Sequence, residues 1–333
     1  MAKEFKTIKE QILLLNSRGI KTNQETEAQL MRESYYAIVN GYKTPFLDKQ
    51  AMKTHSNDRF LAGTEFEWIF ALYSFDRDLR SLVFQFLDKA EATMQNAVTY
   101  AFCKKNPKPE AYLDKTCYVD ASNMLVPKGF KGNREKLHRK NLDKLLKTLE
   151  EKKRDQNKSF VSHYSKEYGF VPLLVLQRNL TFGNIHHFYQ LQNRSIQNDA
   201  CKYIVKATGR KIGETRLTPL EFLRAFSVLV DFRNLCAHGE RLYCAKVGRS
   251  HDIPFRSLID NMALVLSDKE IDALRSGIDE LFEEYRPRFH IISRQSLLSD
   301  MGLKKKQPKI ERRIVGFRRL SFLKLERHRH AKS

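Results

Sequence analysis

The punctuation of this chain predicts an all-α fold. Three observations carry that prediction: only 14 Gly and 9 Pro in 333 residues, a near absence of hairpin dipeptides, and four Ser/Thr-x-x-Glu boxes, each ahead of a helical apolar period. The boxes are Thr22–Glu25, Thr64–Glu67, Thr218–Glu221 and Ser267–Glu270. Each sets a hydroxyl and a carboxylate to satisfy N–H groups left open at a helix start. The sole Asn-Gly pair, Asn40-Gly41, lies beside Tyr42 rather than between alternating strands.

The elements follow in order. Ile8, Ile12 and Leu15 share one helical face over 6–18, stopped by Gly19. A second helix is predicted from Thr22 to about Tyr35. A long helical region starts after Thr64 and runs toward Phe102, with a break expected within it. Residues 104–132 are rich in Lys, Pro, Asn and Gly and read as an irregular connection. Between Lys128 and Lys158 stand 12 Lys+Arg and 5 Asp+Glu, the mark of a basic helix with solvated ends inserted into a bundle. Helical patterns resume near Pro172, after Thr218 and after Ser267, and no solenoid repeat is present. The expected division is an N-terminal helical region over 1–60, a bundle over 61–286 with its basic insertion at about 104–160, and a basic extension over 287–333.

Composition narrows the function. With 41% hydrophobic residues, 22 Phe and 13 Tyr, the chain is globular rather than disordered. Its 60 Lys+Arg against 39 Asp+Glu give +21, a field that attracts polyanions. The last 30 residues, Lys304 to Ser333, hold 12 Lys+Arg and 2 Glu. Interleaved Ile310, Ile314, Phe317 and Leu320 allow a basic amphipathic helix in part of it, and the tail reads as RNA-binding, membrane-surface or solvated and inert. The longest apolar run, Phe170 to Leu176, is too short to span a bilayer. The start, MAKEFKTIKEQ, has no apolar signal core, so a reduced, cytoplasmic setting without membrane partners is expected. Five cysteines with no CxxC pair argue against a zinc ribbon or a disulfide framework. Cys236 and Cys244 flank His238, but with at most three ligands in reach no metal or cofactor is expected.

The most informative stretch is Arg233-Asn234-Leu235-Cys236-Ala237-His238. Thr218 caps its helix, Pro219 fits the first position, Leu217 and Phe222 are placed to staple the start, and Gly239 offers a left-handed stop. Phe222, Phe226, Leu229, Val230, Cys236 and Ala237 are expected to form one apolar stripe. Arg233 falls inside it and needs an acid, for which Asp76, Asp78 and Glu91 are candidates. Ser227, Asp231, Asn234 and His238 fall on a polar strip, Asn234 and His238 one turn apart. A guanidinium can clamp phosphate and an imidazole can move a proton, the parts needed to cut RNA without a metal. Arg233 and His238, however, are about 140° apart on an ideal helix. Either the helix distorts near its end or two copies meet across a dimer. The bland alternative is a pair of cations suiting a helix C-terminus.

At these residues the chain resembles a known family. RNLCAHGERLY is similar to the HEPN signature of Abi-like (AbiD/AbiF-type) abortive infection proteins. The segment RGIKTNQETEAQLMRESYYAIVNGYKTPFL resembles that family's N-terminal region, with Gly19, Tyr35, Tyr36, Gly41 and Tyr42 in place. Phe75, Asp76, Arg77, Leu79 and Arg80 match its FDR-x-LR element, Thr181-Phe182-Gly183 its later segment, and QSLLSDMGLKK its usual C-terminus. Two features depart from the pattern. Leu174 and Gln177 stand where the family often carries Trp and Glu, and the basic extension after Lys306 is not a family trait.

The resemblance implies a HEPN-like helical bundle with additional N-terminal helices and a basic helical insertion. It also implies a homodimer that acts as a metal-independent endoribonuclease in phage defence or a toxin–antitoxin pair, in some relatives with a small non-coding RNA. Arg233 and His238 become the catalytic pair and Asn234 an organiser. Arg241, Tyr243, Arg77, Arg80, Lys136, Arg139, Lys140, Lys304, Lys305, Lys306, Arg312 and Arg313 are the expected RNA-binding residues. The alternative is a non-catalytic module that holds a structured RNA; a DNA-binding regulator lacks a helix-turn-helix signal.

Overall fold

The computed structural model describes residues 5–53, 58–213 and 215–303. Its helices are α1 (Ile8–Ser17), α2 (Thr26–Glu33), α3 (Phe66–Lys105), α4 (Arg134–Lys153), α5 (Ser159–Tyr168), α6 (Leu173–Leu176), α7 (Phe182–Gln190), α8 (Arg194–Ala207), α9 (Pro219–Ala237), α10 (Phe255–Val265), α11 (Asp268–Tyr285) and α12 (Arg294–Asp300). A small hairpin joins α9 to α10, with β1 (Lys246–Val247) antiparallel to β2 (Ile253–Pro254) and Lys246 opposite Pro254. The fold is all-α.

α3 organises everything else. It runs unbroken for 40 residues, about 60 Å at helical rise, where the sequence suggested a break. No Gly or Pro lies between Phe66 and Lys105, so no local cause of a kink exists. Helices α6 to α11 all pack on it. One contiguous apolar core includes Leu15 and Ile38 from the N-terminal segment, Phe75 and Phe102 of α3, Phe226 of α9 and Met301 near the end of the described residues.

The capping boxes divide two and two. Those at Thr218–Glu221 and Ser267–Glu270 form as read. Thr64 does not cap α3, because its hydroxyl donates to the Leu61 carbonyl and the Phe66 N–H is taken by the Lys21 carbonyl at 2.9 Å. Thr22 also fails; Asn23 accepts from the N–H groups of Glu25 and Thr26 instead. α2 then ends at Glu33, short of Tyr35, because Ser34 takes φ 63° and the chain passes into a π turn at Tyr36–Asn40. Two further boxes, Thr7–Glu10 and Thr181–Asn184, were not anticipated.

The expected basic helix is α4. It packs on α7, burying Leu145 and Leu149, and Asn141 donates to Gln190 at 3.1 Å. Among the described residues, no helix is long and apolar enough to cross a membrane.

Candidate functional site

The motif helix α9 begins at a complete capping box: the Thr218 N–H donates to Glu221 Oε2 at 2.8 Å and the Glu221 N–H to Thr218 Oγ1 at 3.3 Å. Phe222, Phe226, Leu229 and Phe232 are wholly buried beneath it. The stripe differs at its far end from the one expected: Val230 and Cys236 are only half-buried, Ala237 is exposed, and Phe232 lies in the core. Helical bonding persists to the last turn, where the His238 N–H reaches the Asn234 carbonyl at 2.9 Å. Gly239 then turns left-handed at φ +69°. The Gly239 and Glu240 N–H groups close the end onto the Cys236 and Leu235 carbonyls. The helix therefore does not distort through the motif. Within one chain, Arg233 and His238 stay about 7.5 Å apart along the axis and about 140° apart around it. Asn234 and His238 are both exposed.

Arg233 has found one of its three candidate acids. Its Nε donates to Glu91 Oε2 at 3.1 Å, joining α9 to α3. Burial pushes the Glu91 carboxyl up, and the Arg233 guanidinium and the Phe182 N–H at the start of α7 pull it back. The arginine side chain is 32% exposed and the glutamate 14%, so the pair sits at the protein surface with the carboxylate inside. Among the described residues no acceptor meets the terminal Nη groups of Arg233. Glu91 thus fixes the stem of the guanidinium and leaves its fork for a ligand.

The second acid does different work. Asp76 is fully buried on α3. It accepts from the Tyr42 hydroxyl at 2.7 Å, Arg80 Nη1 at 2.8 Å, the Leu242 N–H at 2.9 Å and the Tyr243 N–H at 2.7 Å. Burial pushes its carboxyl up; the Leu242 N–H, the Tyr42 hydroxyl and Arg80 oppose that. Burial works against the Arg80 charge, but Asp76, Tyr42 and Tyr73 together more than offset it and hold the guanidinium up. This cluster clamps the chain just after the motif onto α3. The third candidate, Asp78, accepts from the Tyr285 hydroxyl.

The scan against family models matches the Abi-like protein family over residues 28–244. The chain belongs to that family. Membership suggests a part in abortive infection, and the match covers α3, the motif helix and the Asp76 clamp. No curated protein and no solved structure matches it.

The remaining expected residues of this family member separate by burial. Tyr243, expected to meet RNA, is 3% exposed; its ring stacks on Tyr42 at 6.2 Å, so it belongs to the core and not to a binding face. Arg80 is 8% exposed and committed to Asp76. Arg77 is paired with Glu33 at 2.9 Å. Arg241 is exposed, with Nη1 on the Gly41 carbonyl at 2.8 Å. Lys136, Arg139 and Lys140 are exposed together along α4. Lys304, Lys305, Lys306, Arg312 and Arg313 lie outside the described residues. Burial pushes the Cys236 thiol up to about 12 and raises that of Cys244, which disfavours the thiolate needed by a metal ligand or nucleophile. Among the described residues no group of three or more His, Cys, Asp or Glu could hold a metal ion. Gln177, where the family often has Glu, accepts from the Thr99 hydroxyl at 2.7 Å.

One feature had no sequence signal of its own. A cleft of about 430 Å³ opens directly after the motif, between the π turn, α3 and the loop at Gly239–Arg241. Tyr36, Tyr42, Tyr73, Arg80, Glu240 and Arg241 line it. These side chains come from three distant segments, and only the fold brings them together.

Proposed function

We propose that this chain is a HEPN-type, metal-independent endoribonuclease of a bacterial abortive-infection or toxin–antitoxin system, cutting at a site shared between two copies. The observation that carries the reading is the grip on Arg233: Glu91 holds Nε alone, leaving the fork for a phosphate, while His238 and Asn234 stand exposed one turn apart. The 2′-hydroxyl of the substrate attacks its own phosphorus as His238 removes its proton. The P–O5′ bond breaks, the protonated His238 passes that proton on to the leaving 5′-oxygen, and the products are a cyclic phosphate and a 5′-hydroxyl. Arg233 offsets the charge that builds on the phosphorane. Use of the 2′-hydroxyl selects RNA over DNA.

The regular end of α9 supports a composite site, since one straight helix does not aim both groups at one phosphate. A two-fold dimer would set His238 of one copy beside Arg233 of the other. The test is RNA cleavage in EDTA by wild type, Arg233→Ala, His238→Ala and a mixed dimer of the two variants. Each variant alone is expected to be inactive, and the mixed dimer to recover about half of the wild-type rate, because one of its two sites is intact. Loss of wild-type cutting in EDTA, or full activity of His238→Ala, would sink the mechanism. An inactive mixed dimer would sink the shared site.

A second reading is a module that holds a structured RNA, favoured by the exposed row Lys136, Arg139 and Lys140 on α4. It predicts tight binding without cleavage. Replacing all three with Ala would lower the log–log salt slope by about 2 to 3 if each meets a phosphate. The two readings coexist if a small non-coding RNA on α4 controls the nuclease.

A further inference from the structure

We infer that the cleft beside the motif holds one unpaired nucleotide of the RNA, with its base against Tyr36 and its phosphate toward Arg241. This rests on the ribonuclease reading for the choice of RNA as ligand. At about 430 Å³ the cleft is of a size that takes one small organic ligand. Its wall is aromatic. Tyr42 and Tyr73 are packed edge to face at 5.5 Å, with their hydroxyls held by Asp76 and Glu33. Tyr36, on the π turn at the rim, is 56% exposed and meets Tyr35 edge to face at 5.8 Å. Bases stack on such rings whatever their sequence.

The charges around that wall are unequal. Arg80 forms the floor, its Nη1 committed to Asp76, Tyr42 and the Glu240 carbonyl. Arg241 stands at the mouth, steered by the Gly41 carbonyl on one nitrogen only. A phosphate at the mouth would meet this second guanidinium in charge-assisted contact. Glu240 lines the same space, is exposed, and has no ion-pair partner among the described residues. A carboxylate accepts from an amino group on a base edge and repels carbonyl lone pairs. The cleft should therefore favour guanine, adenine or cytosine over uracil.

Position ties the cleft to the chemistry. Gly239, Glu240 and Arg241 directly follow His238, and the Asp76 bonds to Leu242 and Tyr243 hold that loop in place. A nucleotide seated here lies against the loop that continues directly from His238. It would set which bond is presented for cutting.

The experiment uses the full-length His238→Ala protein, which separates binding from cleavage. Binding of the four ribonucleoside 5′-monophosphates is measured by calorimetry, alone and with Tyr36→Ala, Tyr36→Phe, Glu240→Gln or Arg241→Ala added. The expected result is that Tyr36→Ala weakens binding on the order of tenfold, Tyr36→Phe restores it, Arg241→Ala weakens it similarly, and Glu240→Gln removes the bias against uridine. If no mononucleotide binds, or if Tyr36→Ala and Arg241→Ala leave affinity unchanged, the inference is overturned. Binding that follows this pattern in a protein whose wild type cuts no RNA would uphold the cleft and remove the nuclease reading. Wild-type cutting whose kcat/KM and base preference are unmoved by Tyr36→Ala would do the reverse.

Discussion

Two acid–arginine pairs draw their acids from the same helix and teach opposite lessons. At Asp76–Arg80 the acid is fully buried and meets four donor groups, two of them backbone N–H groups of another segment. At Glu91–Arg233 a surface guanidinium is held by one nitrogen. Both are ion pairs between a carboxylate of α3 and a guanidinium. A satisfied, desolvated cluster is a brace, because breaking it strands buried charge. A half-satisfied pair at the surface contributes little to stability and keeps hydrogen-bonding capacity for something else. Saturation, more than the presence of an ion pair, separates scaffold from site in this molecule.

The contrast breaks most directly at Asp76. Replacing it with Ala leaves Arg80 uncompensated and frees the loop after the motif, with an expected loss of about 3–5 kcal/mol in urea unfolding. A loss below about 1 kcal/mol would mean that the clamp is not a brace. Glu91→Gln is the matched change at the other pair. It should cost only about 1 kcal/mol, yet lower kcat for RNA cleavage at least about tenfold by releasing the stem of Arg233. If activity and stability fall in proportion, Glu91 is structural and the comparison fails. Thr218→Ala removes the cap of the motif helix without touching either pair and should cost about 1 kcal/mol, with kcat retained once the protein is folded.

The smallest effect is expected at Asp231, half-buried on α9. Burial raises its carboxyl from the ordinary value, against the Gly248 N–H that it accepts. A raised folded-state value means that the native chain holds the proton more tightly than the unfolded one. The contribution is therefore present at low pH and lost as pH rises through the raised value. Asp231→Asn keeps an acceptor for Gly248 and should stabilise at neutral pH by no more than about 1 kcal/mol, given solvent screening. A melting series across pH should show a flatter profile for the variant; a steeper one would reverse the sign assigned here.

Much of this was legible in the sequence, and particular residues show where legibility stops. Helix starts written as hydroxyl–carboxylate boxes were read correctly at Thr218 and Ser267, where each hydroxyl bonds within its own box. Thr64 carried the same letters and failed because the Leu61 carbonyl and a bridge from Lys21 reached those groups first. The need of Arg233 for an acid followed from its place on an apolar stripe, but the choice of Glu91 over Asp76 or Asp78 is a matter of register between α9 and α3. Tyr243 illustrates the converse error: an aromatic beside a basic motif suggests a base platform, yet its N–H and ring belong to the clamp beneath. The cleft could not be read at all, since its lining spans Tyr36 to Arg241.

The unbroken α3 makes the two arginine stations a matter of helical phase. Arg80 and Glu91 are eleven residues apart on it, about 16 Å of rise and close to three whole turns. Both therefore look out on nearly the same side of the rod. Adding or deleting one residue between them would swing one station by about 100° relative to the other. Length changes in this stretch should survive only as near-integral turns, such as seven residues for about two. The spacing between the cleft at Arg80 and the Glu91 grip on Arg233 is thus quantised, and a relative with a different spacing would need its insertion in a loop or in steps of the helix.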